Sequence, residues 1–507
     1  MPASKHNLIA ARNRLVLGIA IVLTASGLAH GDADRFEPVR ERIAKALVDH
    51  NIPSIAVAVA HEGTIVWEQA FGWADREERK PATEHTMYSL ASISKPITAT
   101  GLMRLVERGK IDLEEPINTY LGEAKLRAHL GETDEATVRL VANHTSGLPL
   151  HYQFFYEDES HRPPTREETI RRFGHLTFAP GERFQYSNLG YGVLDYIIER
   201  ASGQPFAQYM RTDVFLPLGM THTSVGIGPG LGPHQAVRYT RDGKRIPFYE
   251  FDHPGASAIY ASAHDLVRFA MFHMKEHLED QQAILEDASL DAMQVPTSGD
   301  SKESGYGIGW SSSVHGHGYR MVQHSGGMPG VSTLCSLVPS ERLAIVVLSN
   351  TSNYFPGRLS TMILKIMLPE REREEDDGGD RADNEKEAPI PPKFTGTWKG
   401  HLVTYRAEIP MVLKVHGADD VHVRLGRQLE TLLNGAQFRD GWINGRFASD
   451  IGTDDDRGRD YHLHLSVKAE GDVLRGPVSA ITLPDQWGSS AVTHWVELRR
   501  EDSTEGD

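Results

Sequence analysis

Apolar and polar positions recur with two different periods along this chain, and the change of period marks its parts. In residues 35–50, Phe36, Ile43 and Leu47 fall at helical spacing, which predicts an amphipathic helix. Two strand-like runs follow, 54–60 and 64–70, joined by Glu62-Gly63, a hairpin turn pair. A second helix is predicted after Ser92. Ile97, Gly101 and Leu105 lie on one line of it, Leu102 and Val106 on the next. Pro96 fits only a first turn, and Gly109 supplies a stop.

Residues 112–300 alternate helical patterns with Pro- and Gly-rich loops. One loop, 151–168, is rich in aromatics and prolines and is long enough to be a rim or lid. The period then returns to strands at 306–314, 319–324, 331–338 and 343–349. Strands at both ends with helices between predict one α/β (α+β) domain, 34–368. Its antiparallel sheet takes strands from both ends and carries helices on its faces.

Residues 369–392 show no apolar period. They are charged, then proline-containing, and read as a linker. In 393–500, Val421, Val423 and Leu425 alternate with His422 and Arg424, and Leu463, Leu465 and Val467 alternate with His464 and Ser466. About eight such runs and no helix predict a small all-β antiparallel barrel. The pair His462-x-His464 reads as a strand's polar face, since no third ligand accompanies it.

Composition alters this picture in three places. The net charge of −16 argues against nucleic acid as a partner. Much of it is local: residues 370–387 carry ten acids and four bases. Lys5, Arg12 and Arg14 precede an apolar run, Leu15 to Leu23, and then small residues. That order predicts a secretory signal over 1–33 and an exported protein, periplasmic or secreted. A membrane contact is expected only if this segment stays uncleaved. Cys335 is the single cysteine, so no internal disulfide and no cysteine-based metal site can form. It sits in an apolar run and reads as a small buried hydrophobe.

The candidate chemistry begins with Ser92 and Lys95, the only S-x-x-K in the chain. Residues three apart share a helix face, so hydroxyl and amine can touch. The electropositive helix start disfavours an ammonium, and a neutral amine beside a hydroxyl is a base beside a nucleophile. Free N–H groups of the first turn are candidate oxyanion donors. Tyr186-x-Asn188 is the only Y-x-N. Tyr186 can relay protons if a nearby cation lowers its pKa, and Asn188 can bond Lys95 and a substrate amide. His324-Ser325-Gly326-Gly327 ends a predicted strand, where glycines admit close backbone approach and an N–H can face an oxyanion. Each motif alone also fits a plain structural role: a cap, a packed ring, a turn.

In this order, on helix, loop and strand, the three motifs resemble those of the serine β-lactamase and penicillin-binding-protein superfamily. The likeness is closest to its class C-like branch of β-lactamases, DD-peptidases, family VIII-type esterases and D-aminopeptidases. It covers 36–368. Asn143-His144-Thr145-Ser146-Gly147 and Pro254-Gly255-Ala256-Ser257 fit it too and are expected to be structural. The resemblance implies Ser92 as nucleophile and Lys95 and Tyr186 as proton carriers. It implies Asn188, His324, Ser325, Gly326 and Gly327 as substrate-binding or orienting residues, with the N–H groups of Ser92 and Gly327 as oxyanion hole.

The resemblance implies neither metal nor organic cofactor. The expected partner is a small-molecule or short peptide substrate. One departure stands out: these lactamases and DD-peptidases usually carry Lys where this chain has His324, which favours an ester or amide hydrolase over an efficient lactamase. Gly396-Thr397-Trp398 resembles the Gly-x-Trp start of a lipocalin-like barrel. An α/β-hydrolase is excluded because no G-x-S-x-G occurs.

Overall fold

A computed structural model describes residues 35–298, 304–314, 317–370, 390–417, 420–439, 441–483 and 490–501. The expected signal segment and most of the expected linker lie outside the described residues.

The strand Ser54–His61 is apolar on both faces because both are covered. Ile55, Val57 and Val59 pack with Val39 and Ile43 of the helix Glu37–Asp49 and with Leu359 of the helix Phe355–Met367. Ala56, Ala58 and Ala60 face the other way, in one core with Ile97, Leu102, Leu266 and Phe269. On one edge this strand pairs with Leu343–Ser349, from Ile55 opposite Ser349 to His61 opposite Leu343. On the other it pairs with Thr64–Asp75 through the expected turn, where Glu62 and Gly63 both take positive φ. The chain's two predicted strand groups therefore share one eight-stranded antiparallel sheet.

The C-terminal region has nine strands among the described residues, in an almost closed antiparallel barrel. Trp398 is wholly buried, its indole N–H donating to the Phe394 carbonyl at 3.0 Å. His464 is half-buried and His462 exposed, as a strand's polar face requires. Cys335 is buried in the eight-stranded sheet, its thiol pushed up to about 12 by burial.

The 151–168 loop is not a free lid. Tyr152–Tyr156 forms a strand that pairs at its start with Ser490-Ala491 of the barrel and over Phe154–Tyr156 with Tyr249–Phe251. The barrel thereby docks on the N-terminal domain through backbone pairing. Arg457 adds a hydrogen bond to the Phe154 carbonyl, and Arg459 an ion pair with Glu159. Among the described residues no helix is long and apolar enough to cross a membrane.

Candidate active site

The nucleophile candidate sits on a short turn rather than on the helix itself. A 3-10 turn, Ala91–Ile93, precedes the α-helix Ser94–Glu107, and Ala91 takes φ +50°. Such a φ is unusual for a residue with a Cβ, and it holds the backbone bent just before Ser92. The turn is pinned from two sides. Ser94 Oγ accepts from the Ile259 N–H at 3.0 Å, and Thr98 Oγ1 donates to the Gly255 carbonyl at 2.8 Å. Gly326 lies so close that a Cβ there would stand 2.1 Å from the Leu90 carbonyl oxygen. That approach to the chain's own backbone explains the glycine.

Lys95 is fully buried, and its Nζ has three partners. They are Asn188 Oδ1 at 2.8 Å, the Ala256 carbonyl at 3.2 Å and Ser92 Oγ at 3.1 Å. Two of these can only accept. A neutral amine has two N–H groups and one lone pair, so the two obligatory acceptors take its hydrogens. The lone pair is then left for the Ser92 hydroxyl. Burial lowers the amine well below its usual 10.5, and no charged partner opposes the fall.

Tyr186 is hydrogen-bonded to Ser92, and Lys95 Nζ lies 4.7 Å from its ring centroid. The expectation that a cation would lower this phenol is corrected. Burial raises it, and the Ser92 bond offsets only part of the rise. Tyr186 is therefore protonated and a donor. Asn188 is the first residue of the helix Asn188–Ser202, but Ser187 does the capping, accepting from the Gly190 N–H at 3.0 Å. Asn188 is thus free to face Lys95.

His324 is buried and locked in one tautomer. Its Nδ1–H donates to the Ser325 carbonyl at 2.8 Å, so Nε2 accepts from the Tyr306 hydroxyl at 2.9 Å. Burial, then the proximity of Lys95, hold it down to about 3. Its ring centroid is 6.5 Å from that of Tyr186. Ser325 and Gly327 are exposed on the same strand and bond neither Ser92 nor Lys95. A Cβ at Gly327 would meet nothing within 4 Å, so no neighbouring atom demands glycine there.

Three neighbours were not assigned to the site from sequence. The Ala256 carbonyl holds Lys95, and a carbonyl leaves no side-chain signal. Tyr306 fixes His324 from across a separate strand. His144 lies under Tyr186, ring centroids 4.4 Å apart, and its Nδ1 accepts from the Ser187 N–H at 3.2 Å. The H-T-S-G run around it gave a signal but was read as structural, and supporting the Tyr186 loop is a structural task.

A half-buried serine, a buried lysine held well below its usual value and a protonated tyrosine on one hydroxyl define a serine hydrolase of the β-lactamase and penicillin-binding-protein kind. Residues 39–362 match the Beta-lactamase family model, and the chain belongs to that family. It is 30% identical over 316 residues to penicillin-binding protein 4* of Bacillus subtilis, covering 58% of this chain and 67% of that protein. It is 26% identical over 330 residues to protein flp of Staphylococcus aureus, covering 63% and 64%. The chain thus spans about two thirds of these relatives. A class C beta-lactamase superimposes over 68% of this chain and 98% of its own, with TM-score 0.58 and 21% identity. The octameric penicillin-binding protein homologue from Pyrococcus abyssi covers 90% of this chain and 99% of its own, with TM-score 0.56 and 23% identity.

Proposed function

We propose that the chain is an exported serine hydrolase that cleaves an ester or amide through an acyl-enzyme on Ser92. The observation that carries this reading is the set of partners at Lys95 Nζ, which leaves a lone pair for the Ser92 proton. Ser92 Oγ attacks the carbonyl as its proton passes to Lys95. The N–H groups of Ser92 and Gly327 receive the oxyanion, which would require substrate to settle between turn and strand. Tyr186 donates to the leaving group and is reprotonated from Lys95. Asn188 keeps the amine oriented and meets the substrate, with Ser325 and Gly326 beside it. Water then cleaves the acyl-enzyme.

His324 supports the ester and amide preference. A neutral imidazole offers no permanent cation for a substrate carboxylate. The competing reading is a D-amino-acid peptidase, β-lactamase or penicillin-binding sensor acting on cell-wall-type substrates. The name of the Bacillus subtilis relative favours it.

Intact-mass spectrometry and turnover, with p-nitrophenyl butyrate and a penicillin in parallel, test the two. Ester turnover without a lasting penicillin adduct is expected. A stable penicillin adduct on Ser92 supports the second reading. Activity surviving Ser92→Ala overturns both.

A further inference from the structure

A cavity of about 330 Å³ opens where the barrel meets the hydrolase domain. One wall comes from 127–129 and 168–175, the other from 403–405 and 493–495. It shares no lining residue with the Ser92 site.

Its chemistry runs against that of the chain. In a protein of net charge −16, this wall brings together Arg127, Arg171 and Arg172 against one lining carboxylate, Glu168. Glu168 is already engaged by Arg172 at 2.7 Å and by Arg171 at 3.4 Å. Arg127 has no carboxylate partner among the described residues; it donates to the Arg171 carbonyl at 2.6 Å and to His175 Nε2 at 3.0 Å. A further carboxylate, Asp455, is hydrogen-bonded to Tyr405 and is not among the lining residues.

The other lining groups are built to pair with charge. His129 lies flat on Trp495, centroids 4.5 Å apart and planes 1° apart, and stacks on His175 at 5.0 Å. His494 is 5% exposed, and its Nε2 is buried without a hydrogen-bond partner. All three imidazoles are held to about 4, burial being the largest cause; Arg127 adds to it at His129 and His175, while Asp455 opposes it at His494. The unpartnered buried nitrogen of His494 is costly unless a ligand meets it, and the exposed Arg127 has no carboxylate among the described residues to compete with an anion.

We propose that this interdomain cavity binds a small oxyanion, a carboxylate or a phosphate. Arg127 and Arg172 make the charge-assisted contacts, and the Trp495–His129 stack forms the wall. Both domains contribute, so the ligand also ties the barrel to the hydrolase domain. The anion offsets part of what holds the histidines neutral, burial first and the nearby cations second, so binding takes up protons. Arg127, Arg171 and Arg172 oppose that uptake, Glu168 and Asp455 favour it, and the anion adds to the second group.

The test is calorimetric titration of the chain from residue 34 with inorganic phosphate and, separately, citrate. Two buffers of different ionisation enthalpy count the protons. Saturable binding with proton uptake is expected for at least one probe, and the better probe identifies the ligand class. Arg127→Gln and Arg172→Gln should each weaken it at least tenfold. Glu168→Gln should tighten it several-fold, a gain that a misfolded variant cannot give. Ester hydrolysis at Ser92 should be unchanged in all three. No saturable heat with either probe at millimolar concentration overturns the proposal. So does equal affinity in the Arg127→Gln and Arg172→Gln variants.

Discussion

Two polar clusters in the hydrolase domain, each built around a buried ionisable group, treat charge in opposite ways. At the catalytic site Lys95 is surrounded by Ser92, Asn188, Tyr186 and the Ala256 carbonyl, all neutral. A few residues before Ala256, Asp252 is bracketed by His151 Nε2 at 2.7 Å and His253 Nδ1 at 2.6 Å. Burial pushes the Asp252 carboxyl up. The charge and hydrogen bond of His151, then those of His253, outweigh it and hold the group below the usual carboxylate range. Lys95 meets the same burial with nothing to set against it and is lowered well below its usual value.

Depth alone therefore does not decide ionisation; a charged or donating partner does. The catalytic site becomes basic by keeping carboxylates away from its lysine. The Asp252 cluster also places a carboxylate and two ring nitrogens within 4.8 Å of one another, a spacing open to a metal. Its two short contacts already have hydrogen-bond lengths.

The largest effect should come from making the first cluster resemble the second. Asn188→Asp places a carboxylate where Oδ1 now sits 2.8 Å from Nζ. It should return the proton to Lys95 and slow Ser92 acylation by about 10²–10³-fold at pH 7, with recovery as pH rises. Rapid-mixing kinetics with p-nitrophenyl butyrate reads this. Acylation within twofold of the parent would break the comparison.

Removing the charge from the second cluster sharpens it. Asp252→Asn should cost about 1–3 kcal/mol of stability in urea unfolding, because the amide keeps one acceptor oxygen and one of the two buried imidazoles faces an NH2 instead. Acylation should fall by less than about tenfold, since Lys95 keeps its partners. The parent Asp252 has a folded-state pKa below its unfolded one. Its stabilisation is thus present above about pH 4 and is lost as pH falls towards the folded value. That acid limb should flatten in Asp252→Asn.

Smaller, and spread over the fold, is the effect of the buried neutral histidines. His324 and His273 are both held to about 3 by burial, against the usual 6.5. The unfolded chain binds their protons first. Their stabilisation is complete above pH 6.5 and declines from there to about pH 3, by up to about 1.4 kcal/mol per pH unit for each group. Urea midpoints at pH 7.5, 6 and 5 should show this slope, and His324→Gln should reduce it by one proton.

The smallest effect is expected where the barrel touches the catalytic loop. Lys468 Nζ bonds Glu182 at 2.8 Å, on the loop that leads to Tyr186, and both side chains are about a third exposed. Lys468→Gln should change stability by less than about 1 kcal/mol and leave acylation within about twofold.

The sequence made the sheet legible wherever burial repeats with a period. Ser54–His61 and the barrel strands were expected for that reason, and S-x-x-K placed Ser92 beside Lys95 because the helix sets the spacing. Contacts between distant segments were not legible. Tyr152–Tyr156 looked like a free loop because its barrel partner lies more than three hundred residues on. Tyr306 and the Ala256 carbonyl meet their partners only through the fold. The ionisation of Tyr186 was misread for a related reason. The expectation asked for a nearby cation to lower it, and the burial that dominates instead comes from contacts the sequence does not show.

The most direct test of the central claim is the pH dependence of Ser92 acylation between pH 5 and 10.5, with an uncharged ester. A neutral Lys95 predicts a rate that rises through an ionisation well below the usual lysine value and is flat above it. A rate still climbing about tenfold per pH unit through pH 9–10 would mean a charged lysine at neutral pH, and would contradict the account.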